Sequence, residues 1–461
     1  MMKKYTNPIF MLALSSALLM ISCNKYLDVQ PKGVQLLETI RDYDAWLNNM
    51  DLLTSTPSQL NMLDDHSDLP TISATLTKSD EKVYTWQAQF SEQVPGTAIL
   101  WGNYYRAIYL HNTVINNVDK ATGGTDQDRR RLKAESLLGR AYEYLFLVNL
   151  YAKMYDPSTA ATDLAVPFVT SIDVTEPTPP RSTVQDIYNH IFEDINRALP
   201  DLPKDNATNR FRGTVAAAHG VMARAYLYMR NFPKAAAEAQ LALDNGPNVV
   251  FDYKSANNVI SVPALIRRPD VIYAKNSGLT YLGKEIPTLD FLKSFDTKDL
   301  RLKVFYTLTG DYSFTVRGRT NFQHYGVASG SPVPTWAISV ADMRLILAEV
   351  AARNNETAVA CDQLDLLRKM RFPAANYVKF TSSDKEVVLQ KVLAERGFEL
   401  AFCGNRWFDM RRLDAEGRMP VVNRYNGAGQ IIATLSPGSP RYVLQIPDQI
   451  LYFNQDWTQN P

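Results

Sequence analysis

Apolar side chains recur at helical spacing in four stretches of the chain. The clearest is 132–150, where Ala134, Leu137, Leu138 and Ala141 follow the i, i+3, i+4, i+7 rhythm of a buried helical face. The same kind of stripe is present at 101–118, 183–199 and 340–367. The pattern therefore predicts four amphipathic helices.

Residues 215–247 predict a pair of helices rather than a single one. The separations of a tetratricopeptide (TPR) repeat are matched by Tyr226, Ala235, Ala242 and Pro247. Small alanines let two antiparallel helices approach closely, and proline closes the unit. A split second copy is indicated at 138–142 with 195–203, and a weaker third at 345–367. Because such units bury their faces against neighbours, we predict an all-α fold, a TPR-like helical stack.

The segment from about 248 to 335 departs from the helical rhythm. It is rich in glycine, proline, threonine and tyrosine, and it contains short alternating pieces such as 312–316. A long irregular segment on a helical scaffold is usually functional, so we expect loop-rich, partly β ligand-binding structure there. With this segment included, residues 36–461 are predicted to form a single domain.

The first residues predict secretion and a lipid anchor. Lys3 and Lys4 precede an apolar run, 9–21, which is too short for a stable membrane span of roughly 20 residues. The run ends in Leu-Met-Ile-Ser-Cys, the pattern of a bacterial lipobox, so we expect cleavage after residues 1–22 and acylation of Cys23. Residues 23–35 are then a polar tether, and lipid is the membrane attachment.

Charge and composition exclude several classes of function. The formal charge is +1, and it becomes −1 when residues 1–22 with their two lysines and no acid are removed, which gives no reason to expect a nucleic-acid partner. The five histidines lack the spacing of metal ligands, so we expect no metal site. Asp64, Asp65 and Asp68 do not have the spacing of a calcium-binding loop, so we expect them to lie in a solvated loop. Cys361 and Cys403 are expected to be buried free thiols. No nucleophile elbow, phosphate loop or zinc-protease motif is present in the sequence.

The sharpest motif is VLAERGFELAFCGNRWFDMRRL at 392–413. It resembles the hallmark ERxxELxFEGxRWxDLxR of the SusD/RagB family of Bacteroidetes. The six hallmark residues singled out for a structural role are Glu395, Arg396, Glu399, Arg406, Trp407 and Asp409. Two residues depart from the pattern: Gly397 stands where arginine is common, and Cys403 stands where glutamate is usual. Any ion pair that this glutamate would make is therefore in doubt here. Further likenesses, at 101–112, 134–142, 163–167, 341–349 and the C-terminal 446–461, extend the resemblance over roughly 23–461.

The resemblance implies a surface lipoprotein of the outer membrane that sits on a SusC-like TonB-dependent transporter. Members of the family bind glycans, and some bind peptides, and pass them to that barrel. The family is not known for catalysis, and the resemblance implies no cofactor. Glu395 and Glu399 lie one helical turn apart, as paired catalytic carboxylates can, but the arginines of the same segment favour buried ion pairs that hold helices together.

Aromatic residues are the better lead to a ligand site. A flat ring can stack on the C–H face of a sugar and loses little rotamer entropy on binding. The candidates in or beside the irregular segment, and in the loop before the first helix, are Trp86, Tyr281, Tyr312, Phe314, Tyr325 and Trp336.

Three functions remain open from the sequence. The first is a transporter-associated binding lipoprotein, which the lipobox, the TPR-like repeats and the hallmark favour together. The second is a surface-anchored glycan hydrolase, which would require a cleft with two carboxylates of differing pKa. The third is a TPR adaptor without a small-molecule site.

Overall fold

The computed structural model describes residues 37–69, 71–73, 75–90, 98–256, 261–276, 286–306 and 337–461. Its α-helices are α1 Ile40–Trp46, α2 Met50–Leu53, α3 Ser79–Tyr84, α4 Gly102–Asn117, α5 Asp126–Tyr151, α6 Val184–Ala198, α7 Val215–Tyr228, α8 Phe232–Asp244, α9 Leu289–Lys293, α10 Leu300–Phe305, α11 Val340–Arg353, α12 Thr357–Arg368, α13 Lys385–Glu399, α14 Arg406–Asp414 and α15 Asp448–Phe453. Its strands are β1 Ser67–Asp68, β2 Leu164–Pro167, β3 Arg181–Thr183, β4 Val271–Tyr273, β5 Ile286–Pro287, β6 Ile338–Ser339, β7 Val422–Tyr425 and β8 Ile431–Leu435.

Short polar side chains fix where the long helices begin. The Thr125 hydroxyl oxygen accepts a hydrogen bond from the Asp128 backbone N–H, and the Thr125 backbone N–H donates one to the Asp128 carboxylate, forming a capping box at the start of α5. Thr183, Thr214 and Ser339 cap α6, α7 and α11 by accepting from the backbone N–H three residues on. These caps satisfy N–H groups that have no partner within the helix.

Three antiparallel helix pairs form the scaffold, as the repeats predicted. Helix α5 packs on α6, α7 on α8, and α11 on α12, and α8 also packs on α11. Ala235, Ala239 and Ala242 of α8 are fully buried at these contacts. The predicted all-α, TPR-like fold is confirmed.

The structure has two helices over 340–367, as the weak repeat at 345–367 indicated, and not the single helix that the apolar stripe predicted. Helix α11 ends at Arg353, and the chain turns at Asn355, whose φ of +66° is left-handed. The apolar stripe continues across the break because both helices bury a face against the same core. Their hydrophobic pattern therefore did not reveal the turn.

The short strands pair two by two and tie loops to the scaffold. All four pairs, β1–β5, β2–β3, β4–β6 and β7–β8, are antiparallel. The β4–β6 pair matches Val271 with Ser339, so a strand within the predicted irregular segment is joined to the residues that directly precede α11. Within that segment the described parts also contain the short helices α9 and α10, which the sequence pattern did not indicate.

A single cluster of buried apolar side chains extends from Leu60 to Ile446. Packing is close enough to require glycine at Gly139, where an added Cβ would lie 2.1 Å from Cε1 of His111. Cys361 and Cys403 are buried, as expected, and neither forms a disulfide bond with another described residue. Over the described ranges, no helix is both long enough and apolar enough to cross a membrane.

Candidate functional site

The hallmark segment folds as α13, a tight turn and α14. Asp384 caps α13 through the backbone N–H groups of Glu386 and Val387. The turn contains Phe402 and Gly404, with φ of +57° and +70°. Trp407 is fully buried and stacks on Tyr442 with ring centroids 5.4 Å apart.

One buried ion-pair network joins the hallmark helices to α7 and α11. Arg396 donates to Asp342 at 2.6 Å and to Asp409 at 2.8 Å, and Arg224 of α7 donates to Asp342 at 2.7 Å. Arg412 bridges Asp409, at 2.7 Å, and Glu349. Burial alone would raise the pKa of Asp409, but Arg396 and Arg412 outweigh it and lower that pKa to about 2.

A second network holds the two glutamates of α13. Arg301 contacts Glu395 at 2.6 Å and Glu399 at 3.0 Å, and Arg371 donates to Glu399 at 2.8 Å. Although burial would raise it, the pKa of Glu399 is lowered by Arg371 and Arg301. A catalytic acid needs a raised pKa, so Glu399 is unsuited to that role.

Arg406 has a partner of its own. It makes two 2.7 Å hydrogen bonds to the carboxylate of Asp65, in a bidentate pair. All six hallmark residues therefore lie in ion pairs or in the core. The sequence identified these residues but not their distant partners Asp65, Arg301, Asp342 and Arg371, for which no local pattern is visible.

The aspartates near residue 65 are buried rather than solvated, so that expectation was wrong. Asp64 is 1% exposed and accepts from the His66 backbone and from Ser67, while Asp68 accepts from the Tyr84 hydroxyl at 2.7 Å. Burial, assisted by the charge of Asp65, raises the pKa of Asp64 to about 7.

Asp64, Asp65 and His66 each offer a ligand atom within 4.8 Å of the others, which is a spacing that a metal ion can use. Both oxygens of Asp65 are already engaged by Arg406, and Arg424 donates to the backbone carbonyl of Asp64 at 2.8 Å. Two guanidinium groups beside the cluster disfavour a further cation. The arrangement therefore suits an ion pair better than a metal centre.

A cavity of about 50 Å³ lies where the hallmark turn faces the irregular segment. Its walls combine the rings of Tyr253, Phe305, Tyr306 and Phe398 with the charged side chains of Arg268, Asp270 and Glu399. Arg268 donates to Asp270 at 2.8 Å and to the Tyr253 hydroxyl at 3.1 Å, which fixes all three groups. Rings with a few fixed polar groups are the chemistry of small-ligand sites.

Two residues of the cavity wall flank, in the sequence, the stretch that contains four of the aromatic candidates. Tyr306 and Ala337, which both line it, directly precede and follow residues 307–336. A further aromatic group adjoins it: Phe398 packs on Phe295 with centroids 4.2 Å apart, and Arg301 lies over both rings. Tyr281, Tyr312, Phe314, Tyr325 and Trp336 lie outside the described residues, as does Cys23.

Trp86 is the one aromatic candidate that the structure describes, and the prediction that it contacts a ligand is wrong. Its ring is 2% exposed, and its Nε1 donates to the carbonyl of Leu63 at 2.9 Å. Arg424 covers the ring at 4.3 Å and donates to four backbone carbonyls, of Met62, Asp64, Ser67 and Tyr84. Leu63 and Arg424, which bury the Trp86 ring, lie outside its own stretch of the sequence, so the hydrophobic pattern around residue 86 gave no sign of burial.

Comparisons with known proteins identify relatives of the chain. One family model, described as starch-binding associating with outer membrane, matches residues 25–227, and another, described as the SusD family, matches 314–461. A SusD-like protein of Bacteroides ovatus is 22% identical over 369 residues, which are 67% of this chain and 64% of that protein's length. The chain thus spans just under two thirds of that relative.

Solved structures share the fold over nearly the whole chain. A SusD superfamily protein from Bacteroides thetaiotaomicron superposes with a TM-score of 0.72 at 19% identity, covering 92% of this chain and all of that one. A SusD-like carbohydrate binding protein from Bacteroides vulgatus gives a TM-score of 0.68 at 18% identity, covering 91% and 97%. At such identities the likeness concerns the fold.

Proposed function

The chain belongs to the SusD/RagB family, and from that premise we propose that it is a lipid-anchored outer-membrane protein that captures a nutrient and delivers it to a SusC-like TonB-dependent transporter. The nutrient we favour is a glycan or oligosaccharide, with a peptide as the alternative. The observation that carries the proposal is the aromatic-lined cavity whose walls include Tyr306 and Ala337, on a scaffold of this family.

A glycan is favoured by the chemistry of that cavity. Aromatic rings suit the C–H faces of sugars, and fixed groups such as Asp270 and the Tyr253 hydroxyl suit their hydroxyls. Since a cavity of about 50 Å³ admits only part of a ligand, we propose that the remainder is bound by residues 281–336. A related structure is named as that of a carbohydrate binding protein, which supports the same choice.

We infer that the protein is not an enzyme. Glu395 and Glu399, the carboxylates with the most suggestive spacing, are both held by Arg301, and Arg371 also holds Glu399. The purified protein should release no product from a broad glycan panel. Turnover that Glu399→Gln abolishes while the fold stays intact would contradict this inference.

The binding site is tested by calorimetry once a glycan panel has identified a ligand. Alanine is placed singly at Tyr281, Tyr312, Phe314, Tyr325 and Trp336. One or two of these variants should lose about 2 kcal/mol of binding free energy, roughly thirtyfold in affinity, because a few central rings usually dominate. Tyr452→Ala is the matched control, since that ring is 60% exposed but lies in α15. If all five variants bind within twofold of the parent, the site is misplaced.

Anchoring and partnership are tested in cells. Cys23→Ala should move the protein from the membrane fraction to the soluble fraction, and persistence in the membrane after an alkaline wash would contradict the lipobox. The parent protein, extracted in mild detergent, should copurify with a TonB-dependent barrel. Failure to recover any barrel under conditions that preserve outer-membrane complexes would argue for the adaptor function instead.

A further inference from the structure

A second concave surface, the arginine groove, lies at the turn between α7 and α8. It is lined by Pro157, Met229, Arg230, Phe232, Arg353, Glu416 and Arg418, and its volume is about 580 Å³. This volume falls within the roughly 300–1,000 Å³ of small-molecule sites. The arginine groove shares no lining residue with the aromatic-lined cavity beside the hallmark turn.

Basic side chains outnumber acidic ones in the lining of the arginine groove. The lining contains three arginines and one glutamate, and the carboxylate of Glu386, outside the lining, also pairs with Arg418. Arg353 donates to both oxygens of Glu416 at 3.0 Å and to Glu349 at 2.9 Å, and Arg418 pairs with Glu416 at 3.2 Å. Glu416 therefore fixes two of the guanidinium groups in place and has little capacity left to neutralise the third.

The third, Arg230, differs from its neighbours. Across the described ranges it makes no ion pair and no side-chain hydrogen bond, although it is only partly exposed and its Nε is shielded from solvent without an acceptor. The carboxylate of Asp156, which lies near it, is engaged by the backbone and hydroxyl of Ser158. A shielded donor without an acceptor is unfavourable unless a ligand supplies one.

Arg230 also occupies a backbone position that favours glycine. Its φ is +58°, Asn231 donates to the Tyr226 carbonyl at 2.8 Å, and Arg230 donates to that of Leu227 at 3.0 Å. This is the Schellman motif that ends many helices, usually with glycine at the left-handed residue.

Helix α11 ends with the same motif, and there Asn355, with a φ of +66°, holds the left-handed position. Asparagine is the common alternative to glycine at this position. The turn itself thus gives no reason for an arginine at 230. A residue kept in an unfavourable conformation points to a role beyond the turn.

Apolar groups complete the arginine groove. The guanidinium of Arg353 lies over the ring of Phe232 at 4.1 Å, and Met229 and Pro157 add further apolar surface.

We propose that the arginine groove binds an acidic saccharide, one carrying a carboxylate or sulfate group, with Arg230 as the residue that binds the anion. A planar guanidinium can pair with either group through two hydrogen bonds, while the apolar side chains contact the C–H face of the sugar. This inference rests on the proposed glycan-binding function.

The test is calorimetry with four probes: trigalacturonic acid, a heparin-derived sulfated tetrasaccharide, neutral maltotriose and sodium sulfate. The parent should bind at least one of the acidic saccharides, and rising salt should weaken that binding because the pair is electrostatic. Arg230→Asn should lower that affinity at least tenfold. The fold itself places asparagine at the equivalent position of α11, so this variant should still fold.

Arg41→Gln is the matched control, and it should bind within twofold of the parent. Arg41 is exposed. It lies near the start of α5, because the neighbouring Ile40 lies against Gly124, which directly precedes that helix's capping residue Thr125. Pro157 of the arginine groove follows the other end of α5, a helix of 26 residues or about 39 Å. Removing a positive charge there should not affect the arginine groove.

Equal binding of acidic saccharide by the parent and by Arg230→Asn would overturn the inference. If the parent binds maltotriose but neither acidic saccharide, the inference is also overturned, although the proposed glycan-binding function still stands. Sulfate that binds as tightly as the saccharides would reduce the arginine groove to a site for simple anions and also overturn it. A parent that binds no saccharide, acidic or neutral, would overturn the proposed function as well.

Discussion

The arginines around the hallmark helices and Arg230 of the arginine groove have opposite surroundings. Arg396, Arg412 and Arg301 are buried, and each contacts at least two carboxylates. Arg230 is partly exposed and contacts none among the described residues. The three arginines that hold the hallmark helices together are both buried and paired with carboxylates, whereas Arg230 differs from them in both respects and is left available to a ligand.

The comparison is tested most strongly by removing a carboxylate from the buried network. Asp342→Ala leaves Arg224 and Arg396 without their shared partner, so we expect a loss of about 3–5 kcal/mol in the free energy of unfolding. Urea unfolding monitored by circular dichroism measures it. Asp126→Ala is the control, because that carboxylate is 86% exposed and its pair with Arg129 should contribute at most about 1 kcal/mol. Equal costs for the two variants would contradict the assigned role of the network.

Acid should weaken the same network to a smaller degree. The pKa of Asp409 is lowered from 3.8 to about 2 in the folded protein, so its stabilisation is present above pH 3.8 and is lost as the pH falls through 2. The shift corresponds to about 2 kcal/mol. We expect the difference in unfolding free energy between the parent and Asp409→Asn to narrow by that amount between pH 5 and pH 2. A difference that does not change with pH would contradict the pairing of Asp409 with Arg396 and Arg412.

The smallest effect is expected in the arginine groove. Arg230→Asn relieves an unfavourable backbone conformation and breaks no ion pair, so it should raise the free energy of unfolding by up to about 1 kcal/mol. The reverse exchange, Asn355→Arg, should lower it by a similar amount. Both are measured by thermal unfolding. If Arg230→Asn destabilises the protein by more than Asn355→Arg does, Arg230 serves the scaffold rather than a ligand.

The sequence predicted those parts of the molecule that depend on local spacing. Alanine spacing in α8 and the stripe of α5 predicted helix pairs because close packing requires small or periodic residues at fixed separations. Ion-pair partners such as Arg301 and Glu395, 94 residues apart, leave no local pattern. Trp86 was assigned wrongly for the same reason, since its burial is set by residues 63 and 424. The arginine groove was missed because its residues come from four separate stretches of chain.

The four carbonyl contacts of Arg424 have a consequence for how the chain folds. Each contact joins two residues that are between 340 and 362 positions apart in the sequence, whereas each helix pair assembles from stretches that are close in the sequence. Contacts between distant residues close large loops, which costs chain entropy and slows folding. We expect the helix pairs to form first and the segment around 62–86 to dock late. In hydrogen exchange by mass spectrometry during refolding, amides of α7 and α8 should gain protection before those of residues 79–86.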